Sequence, residues 1–284
     1  MNPAVIRSIP DVRSWVKNRK QGGARVGCVP TMGALHAGHA RLMEWAHRQA
    51  DAVVVTIFVN PIQFDRKEDY EAYARTLPAD LELCGKHNVA AVFVPSMDEM
   101  YPSPADTFVE VPDVSSTLCG AFRPGHFRGV ATVVAKLFHI VQPDQAYFGE
   151  KDAQQLAVIR RMVAGLNFPV EIIGVPTVRE SDGLALSSRN QRLQPEERAV
   201  APLLYRALQT AESLIAQGSD DAEDVTQRAR ATLAGQPAIR LEYLELVDPH
   251  TLQPVSRLRG PVLAAVAAWI GGTRLIDNVL CLAP

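Results

Sequence analysis

The sequence predicts an α/β fold in which a parallel sheet is followed by a smaller α+β domain. Strand-like runs alternate with helix-like stretches over residues 24–175. One of these runs, 51–59, is almost entirely apolar and rich in β-branched side chains, as is typical of a parallel strand covered on both faces. The pattern changes after residue 178, and a chain of 284 residues is long enough for two domains.

The alternating region begins with a buried strand at 24–29, which ends in a Pro-Thr-Met-Gly turn and precedes apolar residues at helical spacing from Leu42. The remaining predicted elements of this region are a helix at 76–88, strands at 89–94 and 146–148, a helix at 152–165 and a strand at 170–175. Strands that alternate with helices of this length form βαβ units around a parallel sheet. We therefore predict a Rossmann-like domain at 1–178.

The region after residue 178 has a different order of elements. Pro195 and the two glutamates after it favour the start of a helix, which we predict to continue to Ala216. A second helix at 222–234 and strands at 240–247 and 262–270 follow. Two helices followed by two strands predict a smaller C-terminal α+β domain at 179–284.

Composition and charge argue against several classes of partner. The chain has 29 Lys and Arg residues against 31 Asp and Glu residues, a net charge of −2, so no basic excess favours nucleic acid or an anionic membrane. The longest uncharged stretch, 260–273, is too short to span a bilayer. The amino terminus lacks the apolar run of a secretory signal, and the cysteines form no Cys-x-x-Cys pair. We expect a cytoplasmic protein with reduced thiols.

The strongest functional signal is the segment Thr31-Met-Gly-Ala-Leu-His36-Ala-Gly38-His39, between the first predicted strand and the first helix. Open α/β sheets bind ligands beyond the carboxyl ends of their strands. Gly33 and Gly38 allow the backbone close to a phosphate, and the N–H groups at the helix start favour anions. The two histidines can face one phosphate as donors. The alternatives are a surface pair without function or a metal site, which lacks a clear third ligand.

Two further segments carry cations in polar loops. Phe148-Gly-Glu-Lys151-Asp152 follows a predicted strand and opens a helix, and its lysine can contact a phosphate as a point charge. Leu186-Ser-Ser-Arg189 offers two hydroxyls and a guanidinium that can bind phosphate oxygens in fork-like geometry. Each segment taken alone is also consistent with a solvated lysine or an ordinary surface loop.

Four segments, taken in order, resemble the pantothenate synthetase family. They are TMGALHAGH at 31–39, FVNPIQF at 58–64, YFGEKDAQQ at 147–155 and VRESDGLALSSRN at 178–190. His-x-Gly-His alone is shared by a broad nucleotidyltransferase superfamily, whereas the other three segments together are far more specific. The sequence departs from the family at Ala74, where proline is usual. This position lies in the loop that leads to Asp80, for which the resemblance raises a role near the metal.

The resemblance implies an ATP-dependent ligase that joins pantoate to β-alanine through a pantoyl adenylate and releases AMP and pyrophosphate. It also implies Mg²⁺, a homodimer, and a smaller domain that closes over the ATP site. The residues that it assigns to ATP are Met32, Gly33, Ala34, Leu35, His36, Ala37, Gly38, His39, Gly149, Glu150, Lys151, Asp152, Val178, Leu186, Ser187, Ser188 and Arg189. It assigns pantoate to Gln63 and Gln155, and catalysis to His36, His39 and Lys151, while the metal ligands are unknown.

Two other functions stay open at this point. A cytidylyl- or adenylyltransferase of the same superfamily would release pyrophosphate but no AMP. A nucleotide-binding sensor would need the histidines and Lys151 only for affinity and would show no turnover. If the chain is a ligase, we expect His39 to stabilise the departing pyrophosphate as a donor, because the leaving group needs its charge neutralised more than it needs a proton.

Overall fold

The computed structural model describes residues 2–284. Its larger sheet has six parallel strands in the order β1-β4-β3-β2-β5-β6. The strands are β1 (Ala4–Ile6), β2 (Val26–Thr31), β3 (Ala52–Ile57), β4 (Ala91–Phe93), β5 (Gln145–Gly149) and β6 (Glu171–Val175). The helices along this part of the chain are α1 (Ile9–Gln21), α2 (Ala37–His47), α3 (Lys67–Glu71), α4 (Leu77–Lys86), α5 (Met97–Met100), α6 (Pro112–Ser115), α7 (Cys119–Phe122), α8 (His126–Val141) and α9 (Ala153–Gly165).

The apolar strands explain the core of this sheet. All residues of β3 are buried, and every residue of β2 except Pro30 is buried. The apolar face of α2, formed by Leu42, Met43 and Ala46, belongs to the same buried cluster as side chains from β2 and β3. A strand covered on both faces has no solvated side, which is why these runs show no polar alternation.

The strand order places a switch point between β2 and β5. Strands β3, β4 and β1 lie on one side of β2, whereas β5 and β6 lie on its other side. The connections therefore diverge from the carboxyl ends of β2 and β5, and ligands bind at such a crevice in open α/β sheets. The segment 31–39 leaves β2 at this point, and Gly149 ends β5 beside it.

The C-terminal part of the chain forms a separate three-stranded antiparallel sheet in the order β7-β8-β9. Its elements are α10 (Pro195–Val200), α11 (Leu203–Ala216), α12 (Ala222–Ala231), β7 (Ile239–Val247), β8 (Gly260–Ile270) and β9 (Thr273–Ala283). Its core contains the apolar face of α11 and the inward side chains of the sheet. The predicted fold class, a parallel α/β sheet with a smaller α+β domain, is confirmed.

Two details of the second region differ from the prediction. The helix predicted from Pro195 to Ala216 is interrupted after Val200, and α11 begins only after Pro202, whose ring prevents an unbroken backbone ladder. A third strand, β9, follows β8 after a two-glycine turn and pairs with it along its whole length.

By contacts between Cα atoms, the described chain divides into two compact units. The first unit comprises residues 2–112, 123–150 and 158–176, and the second comprises 113–122, 151–157 and 177–284. The second unit thus includes two short segments from before the predicted boundary at 178, which itself stays a prediction. All four cysteines are buried and free. No helix in residues 2–284 has the length and apolar character needed to cross a membrane.

Candidate active site

The segment between β2 and α2 brings two histidines together. His36 is the N-cap of α2, His39 lies in its first turn, and their ring centroids are 4.3 Å apart. Nδ1 of His36 accepts the N–H of Gly38 at 3.1 Å, and Nδ1 of His39 accepts the N–H of His36 at 3.2 Å. The two bonds form a capping box in which imidazoles replace the usual hydroxyl and carboxylate side chains.

These bonds determine which ring nitrogen carries the proton. A nitrogen that accepts an N–H holds no hydrogen itself, so in the neutral ring the proton of each histidine is on Nε2. The N–H groups of His36 and Gly38 are engaged within the capping box. Sequence reasoning expected backbone N–H groups at the helix start to serve as anion donors, whereas the structure gives two of them to the imidazoles. In the neutral state, the donor that each ring carries is its Nε2–H group.

Gly38 leaves room for the imidazole of His36. A Cβ atom at position 38 would lie 2.8 Å from Cε1 and 3.0 Å from Nδ1 of that ring. Contacts this short force either the ring or the helix start to move. The glycine predicted from phosphate approach thus has a second role, which is to let the N-cap histidine fold back onto the first turn.

Asp80 holds the loop that leads to the histidines. Its Oδ2 accepts the N–H of Ala34 at 3.1 Å, and its Oδ1 accepts the N–H of Leu35 at 2.8 Å and the hydroxyl of Thr76 at 3.1 Å. Ala34 has a φ of 52°, which an L-residue adopts only when its surroundings enforce it. Asp80 is 2% exposed, so its charge is compensated by these donors and not by water.

Gln63 lies against the first predicted ATP residue. Its Nε2 is 3.0 Å from Sδ of Met32, and its Oε1 accepts an N–H of the Asn60 side chain at 3.1 Å. Gln63 itself is buried, with 8% exposure. Within the first unit, the residue predicted for pantoate is therefore in contact with the segment predicted for ATP.

The backbone carbonyl of Gln63 is held by two side chains, those of His126 and Arg123. Its carbonyl oxygen is 2.7 Å from Nδ1 of His126 and 3.5 Å from an Arg123 nitrogen. Arg123 also donates to Asp65 at 2.7 and 3.0 Å. Burial alone would raise the pKa of Asp65, but the hydrogen bond and charge of Arg123 outweigh it and lower that pKa below its usual range. The loop that carries Arg123 and His126 thus fixes the position of Gln63.

Gly129 allows α8 to approach the same loop closely. A Cβ atom at position 129 would lie 2.5 Å from the carbonyl oxygen of Ile62 and 2.6 Å from backbone atoms of Gln63. Its own carbonyl accepts an N–H of Asn60 at 3.0 Å. A side chain at this position would push the Gln63 backbone away from α8.

Lys151, Ser187 and Arg189 line a small pocket within the second unit. The polar side chains that line it are those of Lys151, Ser187, Arg189, Asn190, Arg274 and Asp277. The side chain of Lys151 is 17% exposed, and its backbone carbonyl accepts an N–H of Asn278 at 2.9 Å. The structure therefore brings together two cations and a hydroxyl that the sequence assigned to phosphate, and it adds Arg274, which sequence reasoning missed.

Ion pairs anchor the loop that carries Ser187 and Arg189. Arg198 donates to Glu180 and Asp182, each at 2.7 Å, and its hydrogen bond holds the pKa of Asp182 below its usual range. Val178 accepts the N–H of Leu186 at 2.9 Å, so the two ends of this loop pair with each other.

The remaining predicted residues occupy helix openings. Gly149 ends β5, Glu150 begins a one-turn 3₁₀ helix, and Asp152, with a 47% exposed side chain, ends that helix. Gln155 is half-buried in the first turn of α9, whereas its neighbour Gln154 is buried and donates to the carbonyls of Val114 and Thr117. Of this glutamine pair, only Gln155 has an exposed surface to offer a ligand.

Sequence reasoning missed the distant contacts that position the site. Asp80 and Tyr101 contact loops 46 and 41 positions away along the chain, and no local pattern marks such contacts. Within residues 2–284, no group of three or more His, Cys, Asp or Glu side chains is arranged to hold a metal ion. Both carboxylate oxygens of Asp80, which was considered near the metal, accept backbone N–H groups instead.

Comparison with known proteins gives one consistent family. A family model described as pantoate-beta-alanine ligase matches residues 4–280. The pantothenate synthetase of Moorella thermoacetica is 51% identical over 276 residues, which cover 97% of this chain and 98% of the relative. The pantothenate synthetase of Thermotoga petrophila is 49% identical over 276 residues, covering 97% and 99%.

Solved structures show the same relationship. Pantothenate synthetase from Thermus thermophilus superimposes with a TM-score of 0.92 at 46% identity and covers 97% of this chain and 98% of its own. Pantoate-beta-alanine ligase from Francisella tularensis, whose structure is a complex with beta-gamma ATP and beta-alanine, has a TM-score of 0.79 at 33% identity, with coverages of 98% and 97%. A family match across nearly the whole chain and relatives of about half identity agree with the observed fold. The chain belongs to the pantoate–β-alanine ligase family.

Proposed function

We propose that this chain joins pantoate to β-alanine at the expense of ATP, by way of a pantoyl adenylate. The observation that carries the proposal is the contact between Gln63, assigned to pantoate, and Met32, the first residue assigned to ATP. A carboxylate that is to attack a nucleotide must be bound next to it, and this contact supplies such a neighbourhood within the first unit. The Francisella relative, whose complex contains an ATP compound and beta-alanine, supports the choice of substrates.

In the first step, a carboxylate oxygen of pantoate attacks the α-phosphorus of ATP. The bond from the α-phosphorus to the α,β-bridging oxygen breaks, and pyrophosphate leaves with the electron pair. Negative charge therefore grows on the departing phosphates. His36 and His39 meet it with their Nε2–H groups, which are fixed in place by their Nδ1 bonds to the backbone. Donors that are already oriented need no reorganisation when the charge develops.

In the second step, the neutral amine of β-alanine attacks the acyl carbon of the adenylate. The acyl carbon–oxygen bond breaks, AMP leaves with that oxygen, and the nitrogen loses a proton to give the amide. No charge accumulates on pyrophosphate in this step, because it has already gone. The histidines are therefore assigned to adenylate formation and not to amide formation.

Two cations that we assign to phosphate, Lys151 and Arg189, lie within the second unit. Lys151 supplies a point charge, and Arg189 supplies a planar guanidinium that can bind two oxygens at once. Arg274 lines the same pocket, but its guanidinium is held by Glu242 in two contacts. We assign Lys151, Ser187 and Arg189 to ATP and leave Arg274 as their support.

Four further assignments belong to the proposal. Gln63 and Gln155 hold pantoate through amides, which can both donate and accept hydrogen bonds. Magnesium would accompany ATP and would neutralise part of its phosphate charge. The protein acts in the cytoplasm, and it acts as a homodimer.

Product analysis tests the proposed function. The purified protein is incubated with ATP, magnesium, pantoate and β-alanine, and nucleotides and pantothenate are quantified together. We expect AMP and pantothenate in equal amounts, and no AMP when pantoate is omitted. ADP as the nucleotide product would exclude the adenylate route. Pyrophosphate release without AMP would instead favour a cytidylyl- or adenylyltransferase.

A further inference from the structure

Asn60 is the most completely engaged polar side chain near the predicted pantoate residue. It is 0% exposed and follows β3 at the point where the chain turns. Its Nδ2 donates to the carbonyl of Gly129 at 3.0 Å and to Oε1 of Gln63 at 3.1 Å. Its Oδ1 accepts the hydroxyl of Tyr101 at 2.9 Å. Both amide hydrogens and the amide oxygen therefore have partners inside the protein.

These partners leave one possible orientation for the Asn60 amide. A backbone carbonyl can only accept, so the atom that faces Gly129 must be Nδ2 and the atom that faces Tyr101 must be Oδ1. The Tyr101 hydroxyl must then donate. Burial raises the pKa of Tyr101 above its ordinary value, so the hydroxyl keeps the proton that it donates.

The orientation of Asn60 is passed on to Gln63. Since Nδ2 of Asn60 donates, the atom of Gln63 that faces it must be the acceptor Oε1. Nε2 of Gln63 is then turned the other way, where its neighbour is Sδ of Met32 at 3.0 Å. A thioether sulfur is a weak acceptor, so a ligand oxygen can replace it without loss to the protein.

We propose that Tyr101 is a positioning residue which, together with the Gly129 carbonyl, fixes the Gln63 amide through Asn60 so that Gln63 meets pantoate as an N–H donor. The inference rests on the proposed function, because pantoate is the ligand that it invokes. It adds a direction to the contact: Gln63 gives its hydrogen to a pantoate oxygen and does not accept one from a pantoate hydroxyl. It also gives a role in substrate recognition to a tyrosine that lies outside all of the matched motifs.

The test compares two tyrosines that each donate to a side-chain amide, only one of which is hydrogen-bonded to Gln63. Tyr101→Phe removes the donor to Asn60, which lets the Asn60 and Gln63 amides rotate to other orientations. Tyr147→Phe is the matched control, because the Tyr147 hydroxyl also donates to a side-chain amide, that of Gln145 at 2.8 Å, with no connection to Gln63. Both variants lose one buried hydrogen bond, so a purely structural effect should lower the Tm of both by similar amounts.

We expect the KM for pantoate to rise about tenfold in Tyr101→Phe, in the range expected for one disturbed buried hydrogen bond, and to stay at the wild-type value in Tyr147→Phe. The KM for ATP should change in neither. An unchanged pantoate KM in Tyr101→Phe, or equal rises in both variants, would overturn the role of Tyr101. Wild-type product formation in the same assay separates this result from failure of the proposed function, which would appear as an absence of pantothenate from every sample.

A second measurement does not depend on how the tyrosine variant folds. The side-chain amide protons of Gln63 can be assigned in ¹⁵N-labelled wild-type protein from their disappearance in Gln63→Met. Saturating pantoate should shift at least one of them downfield, because a sulfur acceptor is replaced by oxygen. Amide protons that do not move when pantoate binding is demonstrated by calorimetry would contradict the donor assignment.

Discussion

The two loops assigned to phosphate are held in place by different kinds of interaction. In the first unit, the loop before α2 donates two backbone N–H groups to Asp80, which is 2% exposed. In the second unit, the loop at 178–190 is anchored by Arg198, whose ion pairs with Glu180 and Asp182 join side chains that are 30–38% exposed. The first loop is held by a buried carboxylate, whereas the second combines the partly solvated pairs of Arg198 with one buried ion pair, between Arg179 and Asp277.

This difference indicates which of the two loops has a rigid backbone and which can change its conformation. A buried carboxylate that loses its N–H partners costs its full desolvation, so its loop has little freedom to move. A partly exposed ion pair contributes about 0–1 kcal/mol and is screened by salt. The histidines thus have a fixed position, whereas the part of the second loop that Arg198 holds can rearrange at small cost.

Removal of a donor from the helix start that follows the rigid loop should have the largest effect. His39→Ala deletes one preoriented Nε2–H, and we expect the full reaction to slow by about 10²–10³, or roughly 2.7–4 kcal/mol. Given preformed pantoyl adenylate and β-alanine, the same variant should form pantothenate at close to the wild-type single-turnover rate. Equal slowing in both assays would show that His39 serves amine attack or the fold.

The anchor of the rigid loop should rank second. Asp80→Asn can accept with one atom only, so either the Ala34 or the Leu35 N–H faces an NH₂ group. We expect the free energy of unfolding to fall by about 1–3 kcal/mol and ATP affinity to fall about tenfold. Asp248→Asn is the control, because this exposed carboxylate also accepts two backbone N–H groups, those of His250 and Thr251. Calorimetry that finds ATP binding unaffected in Asp80→Asn would remove Asp80 from the account of the site.

The sequence predicted what local patterns encode and missed what distant contacts decide. The strand at 51–59 was predicted because it is apolar throughout, and the loop at 31–39 was predicted because its glycines and histidines lie together. Helix α8 was not predicted, although its apolar residues recur with the helical period and could have revealed it. β9 was missed because burial alternates along much of it while polarity does not: Leu280 and Leu282 are exposed and Asp277 is buried. The residue-level assignments to ATP and pantoate stay predictions.

The anchor of the adjustable loop should give a smaller effect that depends on salt. Arg198→Met removes both ion pairs while keeping much of the side-chain volume. We expect ATP affinity to fall about threefold at low ionic strength, and the difference from wild type to disappear near 1 M salt, where the Debye length is about 3 Å. Arg228→Met, which breaks an exposed pair with Asp224 on α12, should leave ATP affinity unchanged at both salt concentrations. A loss that persists at high salt would show that this loop is as rigid as the first.

The smallest expected effect is the pH dependence of the stability that the Arg123–Asp65 ion pair contributes. Arg123 lowers the pKa of Asp65 below its usual range despite partial burial. A lowered carboxyl pKa stabilises the folded state above the unfolded value of about 3.9, and the contribution is lost as pH falls through the lower folded value. The Tm of wild type should therefore decrease more steeply below about pH 4 than that of Asp65→Asn, and the two curves should converge. Parallel curves would mean that the ion pair contributes nothing to stability.

The central claim is that the pantoate carboxylate attacks the α-phosphorus, and an isotope label tests it directly. Pantoate carrying ¹⁸O in both carboxylate positions is converted in unlabelled water, and the products are analysed by mass spectrometry. Because the attacking oxygen stays on phosphorus when the amine displaces AMP, AMP should contain one ¹⁸O and pantothenate should keep the other in its amide carbonyl. Unlabelled AMP, or ¹⁸O in phosphate or pyrophosphate, would contradict the adenylate mechanism.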